Sequence, residues 1–147
     1  MTDSLGFLLA DVSRLLRRDF DQRARSIGVT RNQWRVLTML VRHEGTNQRN
    51  LADLLEVEPI TLCRMVDRLQ ESGLVERRPD PQDRRAWRLF LTKKSRPLLD
   101  ELRGHAAALF CDATIGLSEP QQVELHAMLD KMRSNLTMRP EGIATHG

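Results

Sequence analysis

Residues 59–92 read PITLCRMVDRLQESGLVERRPDPQDRRAWRLFLT, and the hydrophobic period changes once within them, at Gly73. Before that point Leu62, Met65, Val66 and Leu69 recur at three- and four-residue spacing, as on a helix with one apolar face. Pro59 stands where a first-turn proline is tolerated, and Gly73 where a helix stops. After it, Trp87, Leu89 and Leu91 alternate with Arg88 and Phe90, while residues 79–83 (PDPQD) forbid continued helix. A helix followed by a β-hairpin is predicted.

Upstream, Asn47 is suited to cap a short helix running to about Glu56, with Leu51, Leu54 and Leu55 apolar. Two short helices joined by a tight turn make a helix-turn-helix, and the hairpin behind them makes a wing. Further out, Thr30 followed by Gln33 forms a capping box opening a helix through Trp34, Leu37, Leu40 and Val41, which Gly45 ends. Leu5, Leu8, Val12, Leu15, Phe20 and Ala24 keep helical spacing from residue 4 to 26, up to Gly28. Downstream, Leu98, Leu102, Ala106 and Leu109 mark another long helix, and Ser118 with Gln121 caps a last one through Leu125, Met128, Met132 and Leu136. The predicted class is mainly α with a small β-hairpin, a winged helix-turn-helix carrying long N- and C-terminal helices. The chain reads as one domain, residues 1–147, with a lobe at 29–92, helices at 4–27 and 93–137 available for dimerisation, and a flexible tail at 138–147.

Composition agrees. With no Tyr, four Phe and two Trp among 147 residues, little is available for a large sheet. The formal charge of +3 permits an anionic partner without demanding one, and its surplus lies in residues 1–45. Cys63 and Cys111 lack metal-ligand spacing, so neither a disulfide framework nor a metal site is expected. They read as small apolar residues before they read as redox sensors. No leader or apolar run of membrane-spanning length is visible, so a cytoplasmic protein without membrane association is expected. The four histidines, His43, His105, His126 and His146, are scattered, and no phosphate loop or catalytic triad pattern appears. Neither enzymatic activity nor a cofactor is expected.

The apolar stripe of the Pro59 helix leaves Ile60, Thr61, Arg64 and Arg68 on its other side. An arginine fork can bond guanine O6 and N7, a Thr methyl or Ile side chain can pack on the thymine methyl, and a helix fits the major groove. Two arginines four residues apart also make an ordinary solvated face, with Asp67 and Glu71 as partners. The hairpin favours base reading: Arg84 and Arg85 follow Asp83 at its tip, and Arg77, Arg78 and Arg88 lie on its limbs, so that Arg77, Asp83, Arg84 and Arg85 join Ile60, Thr61, Arg64 and Arg68 as the expected DNA contacts. A tip arginine can enter a narrow minor groove, where the negative potential is deepest, and a nearby carboxylate can steady it.

Residues 69–85 (LQESGLVERRPDPQDRR), followed by Leu89-Phe-Leu-Thr92, resemble the signature of the multiple antibiotic resistance regulator (MarR) family, and most of all its SlyA-like branch. The resemblance extends from about Leu5 to Leu136. It implies a transcription regulator that binds double-stranded DNA, with Thr61 and Arg64 at the major groove, Arg85 at the minor groove, and Asp83 bracing Arg85. This chain departs from the pattern at Pro59-Ile60, a proline some members carry one position later, and in the acidic Glu56 and Glu58 beside the helix start. The alternative is a winged-helix module that binds protein or RNA without operator specificity.

The apolar stripes of the first, fifth and last helices need partners. A second copy would bury them and set two recognition helices about 34 Å apart on one side of a duplex; an intrachain bundle is the competing arrangement. The family also implies a homodimer on pseudo-palindromic operators, acting mostly as a repressor, and a response to small aromatic carboxylates or phenols. Arg14, Arg17, Trp34 and Thr38 are the residues here that could hold such a ligand, as guanidinium, indole and hydroxyl.

Overall fold

A computed structural model of the chain describes residues 4–138. The elements run α1 (Leu5–Ser26), α2 (Arg31–Arg42), α3 (Gln48–Leu55), α4 (Pro59–Glu71), β1 (Val75–Pro79), β2 (Trp87–Leu91), α5 (Ser95–Ala113) and α6 (Glu119–Thr137). All but the first residue of the expected tail lies outside the described residues. Two compact units divide the chain, one through Phe110 and one from Cys111.

Local signals place the helix starts. Thr30 Oγ1 accepts from the Gln33 N–H at 3.2 Å while Gln33 Oε1 accepts from the Thr30 N–H at 2.9 Å, satisfying two otherwise orphaned donors. Asn47 Oδ1 accepts from the Asn50 N–H at 2.8 Å at the start of α3. Pro59, the first residue of α4, has no N–H to satisfy, and its N-cap Glu58 makes no side-chain cap bond. Between α3 and α4 the tight turn is made by Glu56 at φ 54°, a left-handed conformation that costs a non-glycine residue roughly 1–2 kcal/mol. Bonds from Glu56 N–H to Asp53 O and from Val57 N–H to Ala52 O close that turn and offset the cost.

The core of the first unit joins Val36, Leu37 and Leu40 of α2, Leu51 and Leu55 of α3, and Leu62, Val66 and Leu69 of α4 to Val75 and Leu89 of the hairpin. Phe20 and Ala24 of α1 and Leu102 and Leu109 of α5 belong to the same core, so residue 92 marks a change of period and not a break in packing. Each fully buried leucine contributes about 1.5–3 kcal/mol. β1 and β2 pair antiparallel in the register Val75 with Leu91, Arg77 with Leu89, and Pro79 with Trp87. The other edge of β2 is also held: the Leu89 N–H donates to Thr46 O at 3.0 Å and the Gly45 N–H to Leu89 O at 2.9 Å. The wing is therefore anchored to the segment that leads into α3. Trp87 shares the alternation of Leu89 but is 46% exposed, because β2 runs past the edge of the core.

In the second unit, Ser118 and Gln121 form the second predicted capping box, with bonds of 3.3 and 2.8 Å. No residue of α6 is buried, and Val123, Leu125, Met128, Leu129 and Leu136 are exposed. In the first unit, Leu5, Phe7, Leu8, Val12 and Leu15 of α1 are exposed likewise. Both cysteines are free thiols. Cys63 is half-buried, whereas Cys111 is exposed and so does not fill a core position. Two residues past Leu109, helical geometry turns it away from the face that Leu102 and Leu109 bury. Among the described residues, no helix is long and apolar enough to cross a membrane, and no cluster of His, Cys, Asp and Glu could hold a metal ion.

Candidate nucleic-acid interface

The buried stripe of α4 (Leu62, Met65, Val66, Leu69) fixes which way the helix faces, and leaves Ile60, Thr61, Arg64 and Arg68 exposed. Thr61, Arg64, Met65 and Arg68 form one wall of a groove of about 350 Å³, and the other wall is Thr30, Asn32 and Gln33 at the start of α2. Sequence reasoning missed the α2 wall. Its signal was present in the Thr30–Gln33 capping box, since a helix N-terminus presents N–H groups and positive dipole to an anion such as phosphate. Among the described residues, the guanidiniums of Arg64 and Arg68 have no side-chain partner.

At the wing tip two carboxylates shape the loop. Asp80 Oδ1 accepts from the Gln82 N–H at 2.9 Å and Asp83 Oδ1 from the Arg85 N–H at 3.0 Å. Asp83 thus steadies Arg85 through its backbone, and the side chains of Arg84 and Arg85 stay exposed without partners among the described residues. Asp80 also pairs with Arg88 at 3.4 Å. The Gln82 N–H above all holds the Asp80 carboxyl below its ordinary value; desolvation opposes it, and the Arg88 guanidinium adds to the lowering.

The limb arginines are engaged within the fold. Arg78 pairs with Glu76 at 3.2 Å and lies 4.1 Å over the Phe90 ring. Arg77, expected among the DNA contacts, turns inward: its side chain is 14% exposed and it meets Asp67 at 2.6 Å. The guanidinium reaches α3 and α4 from β1, so reaching a phosphate would forfeit those bonds.

Of the four residues expected to hold an effector, Trp34, Thr38 and Arg14 have partners within the fold. Trp34 Nε1 donates to Asp21 at 2.7 Å, and its ring meets Phe20 edge-on at 4.8 Å. The Thr38 hydroxyl donates to Trp34 O at 2.7 Å. Arg14 pairs with Asp11 at 3.7 Å, and Arg17 is exposed. Thr38 also lines an open apolar groove, of about 170 Å³, which Phe20, Val41, Leu99, Leu102, Arg103 and Ala106 complete.

A helix-turn-helix with an anchored two-stranded wing defines the winged helix-turn-helix class. Residues 29–87 match the MarR family. Transcriptional regulator PA3341 is 36% identical over 92% of this chain and 100% of its own, with a TM-score of 0.79. Wild-type MarR of E. coli in its apo form is 26% identical over 90% and 98% of the two chains, also at 0.79. The MarR family protein Rv2887 of Mycobacterium tuberculosis, solved in complex with salicylic acid, is 27% identical over 89% and 97%, at 0.71. The chain belongs to the MarR family of transcriptional regulators.

Proposed function

We propose that this protein is a cytoplasmic, homodimeric repressor of the SlyA-like branch, which binds a pseudo-palindromic DNA operator with α4 in the major groove and the wing tip at the flanking minor groove. The observation that carries this is how its arginines are divided. Arg64 and Arg68 on α4 and Arg84 and Arg85 at the tip have no side-chain partner among the described residues, whereas Arg77, Arg78 and Arg88 are paired within the fold. Free guanidiniums at the two places where a winged helix meets a duplex suit base and groove reading. The apolar residues that α1 and α6 leave exposed support dimerisation, since a second copy would cover them and supply the second half-site.

A small aromatic carboxylate as effector is supported by the groove of Phe20, Thr38, Leu99, Leu102 and Arg103, where an apolar floor adjoins one guanidinium. At about 170 Å³ it is smaller than the roughly 300 Å³ at which ligand pockets begin, so a second copy would have to add a wall. The salicylic acid bound to Rv2887 is a ligand of that chemistry.

Selection from a random duplex pool at fixed salt tests the reading. The expected product is an inverted repeat with half-sites one helical turn apart, whose affinity falls when salicylate is added. Enrichment of no duplex, or preference for single-stranded RNA, would overturn it.

A further inference from the structure

Arg77 lies on β1, yet every nitrogen of its guanidinium is spent on the helix-turn-helix. Nε donates to Gln48 Oε1 of α3 at 3.1 Å, Nη1 to Gln70 Oε1 of α4 at 3.0 Å, and Nη2 to the backbone oxygen of Cys63 at 3.0 Å, with Cys63 Sγ at 3.6 Å. Nη1 also meets the Asp67 carboxylate at 2.6 Å. One planar group therefore links a wing strand to both helices of the reading motif.

Residues 63, 67 and 70 are spaced by four and three, so they form a stripe along α4. At about 100° per residue, that stripe lies on the flank between the buried line of Leu62, Val66 and Leu69 and the exposed line of Thr61, Arg64 and Arg68. Apolar burial is non-directional and tolerates a small roll or slide of α4. A rigid fork bonded at three points along the flank does not.

We infer that Arg77 is a positioning residue for operator reading: without touching DNA, it sets the roll of α4 and ties it to the wing, so that the helix and the wing tip meet the duplex in one fixed relation. The inference rests on the docking proposed above.

Asp67 gives a test in which the two explanations predict opposite signs. Its side chain is 51% exposed, and deleting a carboxylate beside a duplex should by charge alone tighten binding. If Asp67 acts by holding Arg77, Asp67→Ala should instead weaken operator binding about tenfold, while binding to random duplex is equal to wild type or tighter. Arg77→Gln should cost about the same, and the double variant no more than the worse single, as for residues acting as one unit. Arg77→Lys keeps the charge but not the fork and should fail similarly, whereas a simple phosphate contact would survive it. Circular dichroism at the assay temperature selects the folded variants, and exposed Gln70→Ala, expected to weaken operator binding in the same direction, stands in if Arg77→Gln does not fold. Operator binding by Asp67→Ala as tight as wild type, or by Arg77→Lys equal to wild type, overturns the inference. So does a salt slope lower by about one in Arg77→Gln with equal loss on random duplex, the signature of a lost phosphate contact. If the wild-type protein selects no duplex, the docking itself is wrong and the positioning role falls with it.

Discussion

The Asp83 carboxylate holds Arg85 by its backbone N–H, at 3.0 Å, and leaves the guanidinium exposed. The bond fixes where the tip arginine starts from without spending the group that would enter a groove. Asp83→Asn keeps an acceptor oxygen and should bind operator like wild type, whereas Asp83→Ala should lose about 1 kcal/mol. Arg85→Ala should lose more, most of all on sites with A·T-rich flanks, where the narrow minor groove is most negative. Fluorescence anisotropy on A·T- and G·C-flanked duplexes checks this; a deficit in Asp83→Asn equal to that of Asp83→Ala would mean that the charge, and not the turn, matters.

On α4, Arg64 lines the groove between that helix and the start of α2, with no partner among the described residues. Arg64→Ala should cost about 1–3 kcal/mol on the selected site and relax preference at one or two base pairs. Repeating the duplex selection with the variant reads both effects. Unchanged preference would mean that α4 docks by another face.

Val123 of α6 is 70% exposed. If a second copy covers it, Val123→Glu should shift sedimentation from dimer to monomer at micromolar concentration, because a carboxylate buried without a partner is strongly disfavoured. Deleting residues 117–147 should abolish tight operator binding, since one lobe covers one half-site. Operator binding at full strength by a monomer would contradict the dimer.

The pH response of the wing follows from Asp80. Its carboxyl is held below the ordinary value of 3.8 by the Gln82 N–H and Arg88, so the folded wing binds this proton more weakly than the unfolded chain does. Its contribution is complete above that ordinary value and is lost as pH falls through the lower folded one. Hydrogen-exchange protection at β1 and β2, taken relative to the intrinsic exchange rate at each pH, should therefore fall below about pH 4 in the wild type. Asp80→Asn should flatten this dependence, and an equally steep one in the variant would assign the effect to other carboxylates.

The sequence is most informative where cause and effect lie within four residues. The boxes at Thr30–Gln33 and Ser118–Gln121, the Asn47 cap, Pro59 and Gly73 place the helix ends, because each acts on its own turn of backbone. The exposed face of α4 is legible for the same reason, since the periodicity that buries Leu62, Met65, Val66 and Leu69 also assigns the opposite side. What stays hidden depends on partners far along the chain. Arg77 and Arg85 look alike in sequence, and only the arrival of Gln48, Cys63 and Asp67 around Arg77 distinguishes them. Trp34 is similar: its N–H looks available to a ligand until Asp21 of α1 takes it.

Arg77 lies 29 residues after Gln48 and follows all of α4 in the chain. During synthesis the two helices of the reading motif therefore leave the ribosome before the residue that clamps them. On the positioning role inferred for Arg77, a nascent or prematurely ended chain stopping short of β1 carries Thr61, Arg64 and Arg68 on a helix whose roll is not yet set. Incomplete products then compete less well with finished ones for the operator, and full competence to read DNA has to wait at least for translation of the wing.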